Sequence, residues 1–212
     1  MNSFINRCMP IALGLSLAAC GSSDRNRPTV SIDELAEGAY TISTGSQDAP
    51  TVGRYLSGAD GSRLLLVGDD NGVTKVLYRK SGNAGWVGVP PISLDTRVEL
   101  LRKDPQVVTA PTLAALAGRY VTTPPAGGVA VFSITAEGDI VAGSASACRL
   151  SGKLVAGVLP GTLKLSLSAS NCGDIPASSN GVLSVDGDLA PAAFRLVADD
   201  GNKVVDLRAF TE

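Results

Sequence analysis

The sequence predicts a mostly β protein of two tandem antiparallel β modules, the second a small barrel-like or sandwich domain of about eight strands. Three observations carry this. Gly (24) and Pro (12) are frequent among the 212 residues, and the remaining apolar residues are largely Val, Leu and Ala, a composition that suits short strands and tight turns. Leu163-Lys164-Leu165-Ser166-Leu167-Ser168 alternates apolar with polar, the period of a strand with one wet face. Turn dipeptides then recur along the chain, at Asp60-Gly61, Asn71-Gly72, Gly82-Asn83, Glu137-Gly138, Pro160-Gly161, Asp186-Gly187 and Gly201-Asn202.

Taken in chain order, Ser31-Ile32-Asp33-Glu34 reads as a capping box, with Ser31 as N-cap, Glu34 at N3 and Val30 and Leu35 as the staple, so a short helix is expected before Gly38. Leu64 to Val67 and Val129 to Ile134 read as strands covered on both faces. Phe194-Arg195-Leu196 and Val205-Asp206-Leu207-Arg208 alternate like the 163–168 segment. The two prolines of the Asp104 to Pro111 stretch interrupt the strand pattern and mark the boundary between a module over 30–108 and one over 109–212.

The halves echo one another. Leu35-Ala36-Glu37-Gly38-Ala39-Tyr40-Thr41 matches Leu116-Ala117-Gly118-Arg119-Tyr120-Val121 with one residue skipped, and Leu66 to Gly72 matches Leu196 to Asn202, a hydrophobic strand running into an acidic turn. Two matches in the same order suggest duplication; the alternative is reuse of the same turn chemistry.

The N-terminus is an export segment. Asn2 to Arg7 is polar with one positive charge, Met9 to Leu17 is mostly apolar, and small residues follow. The apolar run is shorter than the roughly 20 residues a membrane span needs. Leu17-Ala18-Ala19-Cys20 resembles the lipobox of bacterial lipoproteins. The resemblance covers the export segment and implies a signal peptide over 1–19, a diacylglyceryl group on the sulfur of Cys20, cleavage before Cys20, and acylation of the new amino group, with palmitate as the acyl type. Two or three acyl chains hold a protein stably on a bilayer, where one holds it weakly. Residues 20–29 then form the lipidated Cys20 and a flexible tether. Gly21 lacks the Asp that favours inner-membrane retention in enterobacteria-like sorting, so the resemblance implies the outer membrane, with the side it faces left open.

Charge and composition exclude several functions. The formal charge is −2, one unit more negative once Arg7 leaves, so there is no basic footprint for nucleic acid. Aromatics at 4% are too few for a base-stacking platform. The chain has no His, which removes Ser-His-Asp and Cys-His catalysis, and no cofactor is expected. Of its four Cys, Cys8 leaves with the signal and Cys20 takes the lipid. Cys148 and Cys172 remain in an oxidising compartment and read as a structural disulfide ahead of free thiols or a redox pair. Two thiols without a third ligand do not make a zinc site.

The geometry of that pair can be reasoned from the sequence. If Pro160-Gly161 forms a two-residue turn and Leu159 pairs with Thr162, then Leu154 faces Leu167, Leu150 faces Asn171 and Cys148 faces Gly173. Cys172 is one step out of line, so a bulge or bend between Ala169 and Asn171 is expected to bring it round.

The second half, through Gly118-x-Tyr120, Ile134-x-x-x-Gly138-x-Ile140-x-x-Gly143-Ser144, Cys148-x-x-x-Gly152 and Asn171-Cys172, also resembles uncharacterised bacterial outer-membrane lipoprotein domains. The resemblance covers about half the chain. It implies a small β-barrel-like domain stapled by the cysteine pair and carries no activity with it.

Asp69-Asp70-Asn71, Asp186-Gly187-Asp188 and Asp199-Asp200-Gly201 are turn formers first, with a calcium loop as the alternative. Trp86, in a Gly/Pro-rich stretch, reads as a cap on the first module's core, with a binding anchor as the alternative. The leading expectation is a non-enzymatic envelope lipoprotein, held to the membrane by its lipid, whose β surface or cavity binds an envelope protein or a small apolar ligand. The alternatives are a purely structural envelope lipoprotein and a carbohydrate-active hydrolase. A hollow barrel would favour a small apolar ligand; a filled one would favour protein interaction or structure.

Overall fold

The computed structural model describes residues 27–125 and 127–212. The signal segment, Cys20 and most of the tether lie outside the described residues. No α-helix occurs among the described residues; two short 3-10 turns, Ala114–Leu116 and Gly187–Leu189, accompany sixteen strands.

The first module is a six-stranded antiparallel sheet. β2 (Gly38–Gly45), β3 (Pro50–Ser57), β4 (Arg63–Gly68), β5 (Thr74–Lys80) and β6 (Val87–Val89) form a meander, and β8 (Arg102–Gln106) returns to pair with β2. β8 is fully exposed, charged and carries Pro105, all devices that blunt a sheet edge. β1 (Val30–Ile32) and β7 (Thr96–Val98) pair in parallel as a separate ribbon. The expected helix at Ser31 is therefore not formed. Ser31 pairs with Arg97 inside the ribbon, and Glu34 turns its carboxylate to Lys80 rather than back to a helix N-terminus. Pairing with residues distant in sequence outweighs a local capping preference.

β4 is covered on both faces, as its apolar run predicts. Leu65 packs with Ile32, Ile42, Tyr55, Tyr78, Val98 and Leu100 under the ribbon. Leu64 and Leu66 face the other way, toward the second module. Trp86 completes the ribbon-side core, its ring meeting Tyr55 edge-on at 6.0 Å.

The second module is a closed up-and-down barrel of eight strands: β9 (Gly118–Thr122), β10 (Ala130–Ile134), β11 (Asp139–Ala142), β12 (Arg149–Ala156), β13 (Thr162–Ser170), β14 (Ser178–Ser184), β15 (Phe194–Asp199) and β16 (Val204–Thr211), with β16 closing on β9. Its interior is packed with side chains. Tyr120, Phe132 and Phe194 form an aromatic trio with ring centroids 4.6 to 6.3 Å apart. Leu150, Leu154, Leu165, Leu167 and Leu183 fill the rest. Leu116, ahead of β9, and Ile175, in the loop after β13, join this core from opposite ends. Eight strands leave room for side chains and little else.

β13 alternates buried and exposed as expected. β10 does not have two covered faces: Ala130, Phe132 and Ile134 point inward, while Val129 is 57% exposed and Val131 half-buried. The sheet of the first module lies against β14 and β15, on another part of the barrel wall.

The β12–β13 register differs from the expected one by two residues. Ala156 pairs with Leu163, Leu150 with Ala169 and Arg149 with Ser170. The connection is a five-residue loop, 157–161, fastened by Thr162 Oγ1 donating to the Leu159 carbonyl at 2.9 Å. A slip of two leaves every side chain on its original face, so matching apolar faces could not distinguish the registers. The ladder runs regularly through Ser170. Asn171, with φ of 55°, then turns the chain so that Cys172 meets Cys148, their Cα atoms 4.4 Å apart and joined by a disulfide.

A candidate binding cleft between the modules

The two modules share one apolar seam. Ala39, Leu56, Leu64, Leu66, Leu77 and Val89 of the sheet pack on Val182 and Val197, which point outward from the barrel. One end of the seam is tied by polar contacts. Arg195 donates to the Gly72 carbonyl and Thr74 Oγ1, each at 2.8 Å, and pairs with Asp206 beside it. The Asp206 carboxylate also accepts the Thr74 amide at 2.6 Å. Arg208 donates to the Asn71 carbonyl at 2.8 Å, and Arg54 pairs with Asp186 at 2.7 Å. The β4–β5 turn is thus held by arginines of the barrel.

At the opposite end of β4 and β5 a cleft of about 760 Å³ opens between sheet and barrel. Leu64, Leu77, Val182 and Val197, buried against one another in the seam, lie beneath it, and Val158 and Leu159 of the β12–β13 loop supply its accessible large apolar side chains. The β3–β4 and β5–β6 loops make one wall; β13, β14 and the β12–β13 loop make the other.

Most of its charges are committed. Arg79 Nε reaches Asp199 across the seam at 3.3 Å, and Asp199 is buried. Lys80 pairs with Glu34, and this bond is the main cause that holds the Glu34 carboxyl below its ordinary range. Arg63 donates to the carbonyls of Gly58 at 2.8 Å and Ser62 at 3.0 Å. Asp60 accepts the Ser62 amide at 2.9 Å, and Asp200 accepts the Asn202 and Lys203 amides at 2.8 and 2.7 Å. These amides keep both carboxyls below the usual range. Lys164 differs: it is exposed on the barrel wall and its ammonium has no ion pair or hydrogen bond among the described residues.

The acidic turns singled out in the sequence serve their own backbones. Asp69 accepts the Asn71 and Val73 amides at 2.9 and 3.0 Å, Asp186 that of Asp188 at 3.1 Å, and Asp199 that of Gly201 at 2.9 Å. Cys148 and Cys172 lie at a barrel end, away from the cleft, and Cys20 is outside the described residues. Sequence reasoning did not find the cleft. Its walls come from five separated segments, and an outward Lys in an alternating strand is ordinarily a solvated side chain.

Comparison of the chain with protein-family models, with curated proteins and with solved structures finds no match.

Proposed function

We propose that this chain is a non-enzymatic bacterial envelope lipoprotein, anchored through Cys20 in the outer membrane, that binds its ligand or partner in the cleft between its modules. Leu17-Ala18-Ala19-Cys20 supports the anchor. The observation that carries the binding reading is the contrast between a barrel packed solid and a seam that opens into a cleft walled by both modules, with the Lys164 ammonium unpaired on its wall. Sites between modules are where small-molecule clefts commonly form. The acids on the cleft walls are engaged as turn acceptors and ion-pair partners, an arrangement suited to binding rather than proton transfer.

Two measurements test this. Intact mass of the wild-type protein from membranes should show a chain beginning at Cys20 with acyl mass, and Cys20→Ser should leave an uncleaved, unacylated precursor. A mature chain starting elsewhere, or lacking acyl mass, removes the anchor. Capture from envelope extract with the anchored wild type should recover a ligand or partner that Asn180→Trp, which fills the cleft from an exposed strand position, does not. Equal recovery by both moves binding away from the cleft. The solid barrel and tied seam also suit the purely structural role, and that reading gains if neither protein recovers anything.

A further inference from the structure

The structure assigns a spontaneous modification site to Asn71: its side-chain amide is converted to a carboxylate through the backbone nitrogen of Gly72, in the turn by which the barrel holds the sheet. An asparagine followed by glycine is open to this reaction because glycine puts no side chain between the attacking nitrogen and the amide carbon. Two such pairs occur among the described residues, Asn71-Gly72 and Asn180-Gly181, and the fold treats them oppositely. The inference stands apart from what the cleft binds.

Asn71 and Gly72 are exposed in the β4–β5 turn, and the Asn71 side-chain amide has no hydrogen bond among the described residues. The Gly72 amide donates to the Asp69 carbonyl at 2.8 Å, so opening one bond of a solvent-exposed turn frees the nucleophile. Arg208 donates to the Asn71 carbonyl at 2.8 Å. A cation on the oxygen of that peptide favours the ionised form of its N–H, which is the form that attacks. Asn180 lies instead in β14, laddered on both sides: Asn180 pairs with Ser166 and Asp199, and Gly181 with Leu165 and Ala198. Ser166 also donates to Asn180 Oδ1 at 3.1 Å. A Cβ on Gly181 would stand 2.0 Å from the Val197 carbonyl, so the next strand leaves this backbone no room to swing toward the Asn180 amide.

The atoms balance with water alone as co-reactant. The Gly72 nitrogen bonds to Asn71 Cγ as ammonia leaves, and water then opens the cyclic imide. Opening at Cγ gives an aspartate. Opening at the former main-chain carbonyl gives isoaspartate, whose backbone runs through Cβ and Cγ and is one carbon longer. Either product sets a new negative charge beside Asp69 and Asp70. In isoaspartate the carbonyl held by Arg208 has become a free carboxylate, and the Gly72 carbonyl, held by Arg195 at 2.8 Å, is displaced. The polar tie at this end of the seam is thereby loosened.

The test is incubation of the full chain in lipid nanodiscs in mildly alkaline buffer, followed by peptide mapping, with fragmentation that tells isoaspartate from aspartate. Conversion at Asn71 is expected to run at least about tenfold faster than at Asn180, since an exposed turn opens more readily than a strand paired on both sides. In urea, which removes the fold, the two sites should react at similar rates. Asn71→Gln should abolish the product in its peptide. The isoaspartyl chain, separated by ion exchange, should unfold at a lower urea concentration than the unconverted chain. Equal rates at the two sites in the folded protein, no conversion at Asn71, or a rate ratio that persists in urea overturns the assignment. An unchanged midpoint for the isoaspartyl chain overturns the loosening of the seam.

Discussion

At the scale of single residues, the two modules open in the same way. Tyr40 donates its hydroxyl to the Ala36 carbonyl at 3.2 Å, and Tyr120 to the Leu116 carbonyl at 2.9 Å. Each ring lies over a glycine two residues earlier, Gly38 or Gly118, where an added Cβ would stand 3.4 or 3.5 Å from the ring or its hydroxyl. The contexts differ: the Tyr120 bond is buried and the Tyr40 bond is exposed. Tyr120→Phe should therefore cost about 1.5 kcal/mol and Tyr40→Phe about 0.5 kcal/mol, read from urea midpoints. The reverse ranking would show that the bonds do not act through burial. Burial also raises the ionisation of the Tyr55, Tyr78 and Tyr120 hydroxyls above the ordinary tyrosine value. A raised acid keeps its contribution below the unfolded value and loses it as pH climbs, because the unfolded chain ionises first. Stability should be insensitive to these groups at neutral pH and fall once pH passes about 10. A denaturation series from pH 8 to 11 without such a decline would contradict the assignment.

At the scale of elements, the hairpin of β12 and β13 is closed at its open end by the Cys148–Cys172 disulfide, 24 residues apart in sequence. Reduction should lower stability by about 3 kcal/mol in the chain-entropy account, measured as a drop in unfolding free energy with and without reductant. An unchanged midpoint would mean that the barrel core alone fixes these strand ends. The elements that could be read from sequence were those whose pattern is local and one-sided. β13 shows its inward leucines and outward Lys164, Ser166 and Ser168 directly, and the turn dipeptides fall between the strands they separate. What failed depended on partners far away. Ser31 and Glu34 satisfy a helix-capping pattern, yet Arg97 and Lys80 decide their fate. The β12–β13 register hung on loop length, which face matching cannot sense. The apparent duplication is local too. The tyrosine motif opens both modules, but the second match joins the hairpin of β4 and β5, mid-sheet in the first module, to that of β15 and β16, which ends the second. The cleft was illegible for the same reason: Leu77, Lys164 and Val182 meet only after both modules have folded and docked.

For the whole molecule, the shared seam makes two modules behave as one. The barrel is topologically closed, yet Val182 and Val197 on its outside are 8% and 1% exposed because the sheet covers them. Separating the modules would uncover that seam and leave Asp206 without Thr74, a buried charge losing a partner. Heat or denaturant should therefore unfold them together. Fluorescence of Trp86, the single tryptophan and a resident of the sheet module, should report the same midpoint as far-UV circular dichroism, which is weighted by both modules. Two separated transitions would show that the seam is too weak to couple them. The ribbon at the start of the first module has a mechanical meaning. Tension on the chain ahead of Arg27 enters the fold through β1, whose ladder to β7 is three residues long and is backed by Thr29 donating twice to Asp95 at 2.8 Å. The six-stranded sheet and the barrel lie behind it. Under load applied at the N-terminal end this ribbon is expected to open before the sheet and the barrel. A single-molecule pull from that end should record a short, reversible extension well below the force that opens the rest.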